Sequence, residues 1–207
     1  MNYLQITHDD VCNGNGLRVV LWLSGCSHHC YNCQNPQTWN PNSGIPFDEA
    51  AKQEIFDELA KDYISGITLS GGDPLHEQNL DGVLDLIKEI REKYPISPNA
   101  ISQNALKSSV LEPQNNNEIR ISFPEKTIWL YTGYDFQEIF RGESSCISKK
   151  GLNDFKRRQI IKLCDVIVDG EYIDEQRDLS KKWAGSDNQR VIDVQETIKN
   201  NKIILYC

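Results

Sequence analysis

Val19-Val20-Leu21-Trp22-Leu23 runs without a polar interruption into Ser24-Gly25-Cys26-Ser27-His28-His29-Cys30-Tyr31-Asn32-Cys33. From Arg18 to Ser24 the chain is nearly continuously apolar and rich in β-branched and aromatic residues, as expected of a strand buried on both faces. That strand feeds a loop in which three of the seven cysteines fall within eight residues, spaced C-x3-C-x2-C. Three thiolates offered from one loop are a platform for a soft metal centre.

The rest of the chain repeats the strand–loop–helix rhythm. Asp48 is placed to cap a helix reaching about Tyr63, with Ala51, Ile55, Leu59 and Tyr63 as a stripe every four residues. Ile64 to Ser70 reads as a strand ending at Gly71-Gly72-Asp73-Pro74. Asn79 to Tyr94 reads as an amphipathic helix through Leu80, Val83, Leu84, Ile87 and Ile90. Thr127 to Thr132 is a further strand, ending at Gly133-Tyr134. Helices follow at Asp135–Phe140 and Gly151–Leu163, the latter with Leu152, Phe155, Ile160 and Leu163 as its apolar positions, then a strand at Asp165–Asp169 ending at Gly170. The tail is loop followed by strands at Val191–Val194 and Ile203–Tyr206. Upstream, Cys12-Asn13-Gly14-Asn15-Gly16 marks a tight turn and lacks the third glycine of a dinucleotide fingerprint. Residues 96–124, with a short strand at Ile119–Ser122, and residues 142–150 break the rhythm and read as insertions into a single domain spanning 1–207.

Strands alternating with helices predict right-handed crossovers and a parallel sheet. The cysteine loop, Gly71-Gly72-Asp73, Gly133-Tyr134 and Asp169-Gly170 then all follow the C-terminal ends of strands, the edge that carries active sites in parallel α/β proteins.

Composition bounds the function. A formal charge of −8 and a pI near 5.0 argue against a nucleic acid as main partner. The basic group Lys149, Lys150, Lys156, Arg157 and Arg158 reads as a solvated helix face. No apolar run approaches the roughly 18–20 residues that span a bilayer. The N-terminus has no basic-then-apolar signal, so the expected location is the cytoplasm. An odd cysteine count in a reducing compartment points to ligands and buried thiols rather than a disulfide framework.

Two metal centres suit the loop. Tetrahedral zinc wants four protein ligands, or three and a water. His28 and His29 crowd Cys26 and Cys30 in sequence, and no second C-x2-C pair completes a four-cysteine site. A [4Fe-4S] cluster held by three thiolates leaves one iron open.

At this point the pattern resembles the radical S-adenosylmethionine enzymes, which carry C-x3-C-x2-C after a first strand and a glycine-glycine-acid motif at the end of a second. Further segments narrow the likeness: Asn13-Gly14-x-Gly16-x-Arg18-Val19, Thr38-Trp39-Asn40, Leu69 to Leu75, Ile128 to Tyr134, Val166 to Gly170, and Gly185-Ser186-Asp187-Asn188-Gln189-Arg190. In order, they resemble the activating enzymes of anaerobic ribonucleoside-triphosphate reductases over nearly the whole chain.

The resemblance implies a compact, incomplete parallel (β/α) barrel of the radical SAM type. It implies that Cys26, Cys30 and Cys33 ligate three irons, with S-adenosylmethionine chelating the fourth. One electron from a flavodoxin-like donor would then break the S–C5′ bond, and the 5′-deoxyadenosyl radical would take the Cα hydrogen of a glycine near the C-terminus of the large reductase subunit. Gly71, Gly72 and Asp73 are implied to hold the methionine moiety, with Asp73 at the ammonium group. Asn32, Cys33 and Gln34 border the adenosine, and Tyr31 offers adenine an aromatic face or lies on the surface. His28 and His29 are expected at the surface or behind the ligands, with His76 and Glu77 within reach of the site. Cys12 is expected to be a small buried hydrophobe unless it lines the pocket. The Asp187–Arg190 loop either seats the glycine-bearing tail or forms a capped turn. A homodimer or a complex with the reductase is compatible with this reading. Another glycyl-radical activase, or a small enzyme of the deazaguanine synthase kind, is the alternative.

Overall fold

In a computed structural model, which describes residues 1–96, 125–141 and 148–206, the apolar runs form the middle of one seven-stranded sheet. Its strands are β1 (Asn2–Asp10), β2 (Leu17–Leu23), β3 (Ile45–Pro46), β4 (Ile64–Gly71), β5 (Thr127–Tyr131), β6 (Val166–Asp169) and β7 (Arg190–Asp193). The order across the sheet is β3-β1-β2-β4-β5-β6-β7. Strands β2, β4, β5 and β6 are parallel, whereas β1, β3 and β7 pair antiparallel at the flanks. The fold is therefore α/β with a mixed sheet, which corrects the all-parallel expectation. The physical reason is connectivity. β1 and β2 are joined by the turn at Asp10–Gly16, and β7 returns beside β6 through a loop, so neither connection contains a crossover helix.

The cysteine loop thus follows the second strand. β1 was not legible because Asn2 to Asp10 mixes Tyr3 and Ile6 with Asn2, Gln5, His8 and two aspartates. It lies next to the short edge strand β3, which covers only Asn2 and Tyr3, and much of it remains exposed.

Five helices complete the fold: α1 (Glu49–Leu59), α2 (Leu80–Lys93), α3 (Phe136–Arg141), α4 (Lys149–Lys162) and α5 (Val194–Asn200). Asp48 caps α1 by accepting from Ala51 N at 3.0 Å, a contact worth about 1 kcal/mol. Ala51, Ile55 and Leu59 are buried as predicted, but the helix ends before Tyr63, which is exposed. Helix α2 buries Leu80, Val83, Leu84, Leu86, Ile87 and Ile90. Helix α4 starts two residues earlier than its apolar pattern suggests, because Ser148 caps it through Gly151 N. Residues 148–150 therefore belong to this helix cap and first turn. Its predicted apolar face is only half right, since Ile160 is buried while Leu152 and Phe155 are exposed. The basic group divides too: Lys149 and Lys150 are exposed, whereas Arg158 is buried. In the tail, Asp193 ends β7 and caps α5, so Val194 is helical, and Ile203–Tyr206 contributes a single bridge, Ile192 to Leu205, instead of a strand. Of the expected excursion at 96–124 only Ile96 is described; the rest of it, with its strand at Ile119–Ser122, lies outside the described residues, as do 142–147.

Side-chain alternation splits the sheet into two faces. Val19, Leu21 and Leu23 of β2, Ile67 and Leu69 of β4, Ile128 and Leu130 of β5 and Ile167 of β6 join the buried residues of all five helices in one large core. The opposite face carries Arg18, Thr68, Trp129, Val166 and Val168, and it is covered by Trp183 and Tyr206 of the tail. Trp129 meets both of those rings edge-on, with centroids 4.9 and 5.1 Å away.

Candidate active site

Because β2, β4, β5 and β6 are parallel, their C-terminal ends share one edge. The three cysteines, Gly71-Gly72-Asp73, Thr132-Gly133-Tyr134 and Gly170-Glu171 all leave the sheet there.

The cysteine loop is braced at both ends. Gly25 N donates to Thr38 O at 2.7 Å and Cys26 N to Trp39 O at 3.1 Å, so the strand's exit is zipped to the polar segment that follows the cysteines. Within the loop, Cys33 N donates to Cys30 O at 3.1 Å, and His29 and Asn32 adopt left-handed backbone. Cys26, Cys30 and Cys33 are all partly buried. Burial pushes the Cys26 thiol up to about 11 and the Cys30 thiol up as well.

The residues fit an iron–sulfur cluster on two grounds. Three sulfurs from one loop are the donor chemistry such clusters take. In addition, Asn35 N already points at Cys33 Sγ at 3.3 Å, the kind of N–H···S bond that stabilises a thiolate ligand. Among the described residues no three His, Cys, Asp or Glu side chains converge on a point for a single metal ion. A cluster makes no such demand, since each thiolate takes a different iron.

The turn after β4 is packed onto the exit of β2. Gly72 N donates to Leu23 O and Asp73 N to Gly25 O, both at 2.8 Å. A Cβ on Gly72 would stand 2.6 Å from Gly25 O, and one on Gly71, at φ +97°, 2.8 Å from Leu23 O. The absence of side chains at Gly71 and Gly72 is thus required by this backbone approach.

Asp73 is 2% exposed, and its carboxylate is fully engaged. Oδ1 accepts from Leu75 N at 2.7 Å and Thr132 Oγ1 at 2.9 Å. Oδ2 accepts from His28 Nε2 at 2.8 Å, Thr132 Oγ1 at 2.9 Å and Gly133 N at 3.0 Å. It ties the β4 turn, the end of β5 and the cysteine loop together. Asn79, fully buried, adds to the brace by donating to Ser24 O at 2.8 Å and Asp73 O at 3.0 Å.

His28 turns inward. Its side chain is 10% exposed, with Nδ1 at 2.8 Å from Glu171 Oε1 and Nε2 on Asp73. Burial alone would lower the pKa of this imidazole, but Asp73 and Glu171 outweigh it and raise it. His29 is exposed and meets the Trp39 ring edge-on.

The remaining expectations divide. Gln34 lies beside Gly185, where a Cβ would stand 3.3 Å from its Nε2. Asn32 is exposed and donates to Asp174 Oδ2 at 3.0 Å, and Tyr31 is 74% exposed. His76 packs against Gly25, just ahead of Cys26, whereas Glu77 pairs with Lys149 at 3.0 Å on α4. Cys12 is exposed, which corrects the buried-hydrophobe reading; the turn at Asp10, whose Oδ1 accepts from Cys12 N, holds it outside the core. The Asp187–Arg190 loop is an internally bonded turn: Gln189 Oε1 accepts from Gly185 N and Ser186 N, its amide donates to Gly170 O, and Arg190 pairs with Asp169. Sequence reasoning gave no site role to Asn79, Thr132, Glu171 or Arg157, although Thr132 lies in the Ile128–Tyr134 segment and Arg157 in the basic group. The one available signal was the pair of histidines between two cysteines.

Comparison with known proteins agrees with this architecture. A family model described as a 4Fe-4S single cluster domain matches residues 12–119 and 115–192, which supports an iron–sulfur cluster in this chain. The anaerobic ribonucleoside-triphosphate reductase-activating protein of Enterobacteria phage T4 is 35% identical over 191 residues, covering 92% of this chain and 93% of that protein. The proteins of the same name from Escherichia coli (strain K12) and Haemophilus influenzae are 34% and 33% identical, over 92% and 91% of this chain and 97% and 96% of theirs. On these matches, the chain belongs to the family of anaerobic ribonucleoside-triphosphate reductase-activating proteins.

Proposed function

We propose that this chain activates an anaerobic ribonucleoside-triphosphate reductase as a radical S-adenosylmethionine enzyme, with Cys26, Cys30 and Cys33 each holding one iron of a [4Fe-4S] cluster. The observation that carries this reading is the docking of the cysteine loop on the Gly71-Gly72-Asp73 turn, through Asp73 N to Gly25 O and His28 to Asp73. The cluster held by Cys26, Cys30 and Cys33 would supply the electron for reductive cleavage of S-adenosylmethionine and, through it, removal of a glycine Cα hydrogen on the reductase.

The protein's own part is binding and placement. Gly71 and Gly72 border the methionine end of S-adenosylmethionine, and Asp73 contributes by fixing the turn. Cys33, Asn32 and Gln34 border the adenosine end. Trp39 O and Thr38 O, by accepting from Cys26 N and Gly25 N, hold the loop against the sheet edge. We read the sheet as part of an incomplete (β/α) barrel of one domain; its face opposite the helices is lined by Trp129 and covered by Trp183 and Tyr206. A flavodoxin-like protein supplies the electron, and the large reductase subunit presents its glycine-bearing C-terminal region. Among the described residues no helix is long and apolar enough to cross a membrane; the proposed site of action is the cytoplasm.

Anaerobic reconstitution with iron and sulfide tests the reading. A brown protein that converts S-adenosylmethionine to 5′-deoxyadenosine with dithionite supports radical chemistry, and a glycyl-radical EPR signal on mixing with the reductase identifies the target. Cleavage without a glycyl radical, with a competent reductase present, would assign the chain to another target.

A further inference from the structure

We propose that His28 is a positioning residue: it holds the cysteine loop in register with the Gly71-Gly72-Asp73 turn and so sets how S-adenosylmethionine meets the open iron. The proposal rests on the cluster reading above and adds to it a residue that ligates neither iron nor substrate.

One imidazole reaches three strand ends. Its Nε2 bonds Asp73 Oδ2 after β4, its Nδ1 bonds Glu171 Oε1 after β6, and its ring lies on Gly133 after β5. Each ring nitrogen faces a carboxylate oxygen at 2.8 Å, so the imidazole bridges the two acids. Space for it depends on a missing side chain. A Cβ on Gly133 would stand 2.6 Å from the His28 ring, and Gly133 has no left-handed backbone that would itself require glycine. Behind the ring stands Tyr134, edge-on at 4.7 Å between centroids. Tyr134 in turn lies under the Arg157 guanidinium of α4, 4.3 Å from its ring centroid. Arg157 Nη2 donates to the Tyr134 hydroxyl at 3.0 Å and its Nε to Leu75 O, also at 3.0 Å, in the turn that Asp73 begins.

His28 therefore has little freedom to move, yet it sits between two proposed ligands, Cys26 and Cys30. Whatever the imidazole fixes in place, the thiols follow. The direct backbone tie, Asp73 N to Gly25 O, lies ahead of Cys26, so His28 is the side chain that carries the registration into the middle of the loop.

The test uses His28→Ala, His28→Gln and Gly133→Ala in the full chain, reconstituted anaerobically. All three keep the cysteines, so iron and sulfide content should match the wild type. The dissociation constant for S-adenosylmethionine should rise about tenfold or more in His28→Ala, the loss expected for a charge-assisted hydrogen-bond pair. The change that S-adenosylmethionine induces in the EPR spectrum of the reduced cluster should shrink with it. His28→Gln retains a donor and should recover part of the affinity. Gly133→Ala should reproduce His28→Ala by pushing the ring off Asp73, and the double variant should be no worse than either single one. In the metal-free protein, the Gly133 amide, bonded to the same Asp73 oxygen, should exchange faster in His28→Ala.

Wild-type affinity and an unaltered EPR response in His28→Ala would overturn the proposal, as would failure of that variant to take up iron, which would make His28 a loading residue. If the wild type itself takes up no cluster, or shows no EPR response to S-adenosylmethionine, the cluster reading falls and the proposal with it. Loss of response in the variants alone supports the proposal.

Discussion

The parallel strands bury a charge near each end, and the two are handled in opposite ways. At the N-terminal end of β2, Arg18 is 0% exposed and meets only neutral acceptors. Its Nε donates to Thr68 Oγ1, its Nη1 to Thr127 Oγ1 and Asn15 O, and its Nη2 to Ile67 O and Thr127 O, while the guanidinium carbon lies 5.3 Å from the centre of the Trp129 ring. At the C-terminal end, Asp73 is as deeply buried, but its partners come from two strand ends and from the loop that carries the cysteines. Arg18 closes its end of the sheet with fixed backbone and short hydroxyls. Asp73 uses its charge to hold a mobile kind of element, a loop, against rigid ones. The first arrangement serves stability and the second serves placement, the division usual between the two ends of parallel α/β sheets.

The sharpest way to break this comparison is to remove a thiol. Cys26→Ala, Cys30→Ala and Cys33→Ala should each abolish a complete cluster while the metal-free chain melts near the wild-type temperature, since no hydrogen bond of the sheet passes through these side chains. Iron analysis and a thermal melt check both halves. A full iron complement in any of the three would remove that cysteine from the ligand set.

Arg18→Met should do the reverse. It removes the donor to the Thr68 and Thr127 hydroxyls and to three carbonyls, and should cost about 3 kcal/mol of folding stability. Iron per folded molecule should be unaffected. Urea unfolding measures the first quantity and reconstitution of the folded fraction the second; lowered iron content in folded protein would show that the N-terminal end is coupled to the site.

Asp73→Asn should fall between these, costing about 2 kcal/mol because its one NH2 must face the N–H group of either Leu75 or Gly133. Unlike Arg18→Met, it should also weaken S-adenosylmethionine binding, which equilibrium binding to the reconstituted protein would detect. Equal loss of stability without loss of binding would put Asp73 in the same class as Arg18.

How far the two ends were legible follows from the kind of contact each uses. The four parallel strands, the capped helix at Asp48 and the glycine and cysteine signals at strand ends are local patterns, and they lie where the sequence places them. The antiparallel flanks of the sheet were not legible, because β1 is too polar to stand out and the direction of β7 depends on a loop. At the site, the cysteines are recognisable by spacing alone. The partners of Asp73 are not, since Thr132 lies 59 residues away and Gly133 60, joined only by the fold. Glycine was legible as a close approach at Gly71 and Gly72, but not what approaches: the backbone of Leu23 and Gly25 packs against both. Arg18 was readable as a motif residue, but nothing in an apolar run says that its charge is met by carbonyls.

The smallest expected effect separates the two ends by pH. Burial lowers the pKa of His76 below its ordinary 6.5, with Arg157 and His28 acting the same way and Asp73 and Glu77 opposing. The folded state then accepts a proton less readily than the unfolded chain. The stability linked to this group is complete above 6.5 and is lost as the pH falls through 6.5 towards the folded value. Arg18, lowered by burial to about 10, is charged in both states throughout this range and adds no slope. Urea unfolding of the metal-free protein from about pH 8 to about pH 5 should therefore show stability falling more steeply in the wild type than in His76→Gln. The comparison isolates His76 from His28, whose raised pKa gives the opposite slope in both proteins. Identical pH profiles would mean that protonated His76 finds as good an environment in the fold as in water, and the cysteine-bearing edge would then be no more sensitive to acid through this residue than the end closed by Arg18.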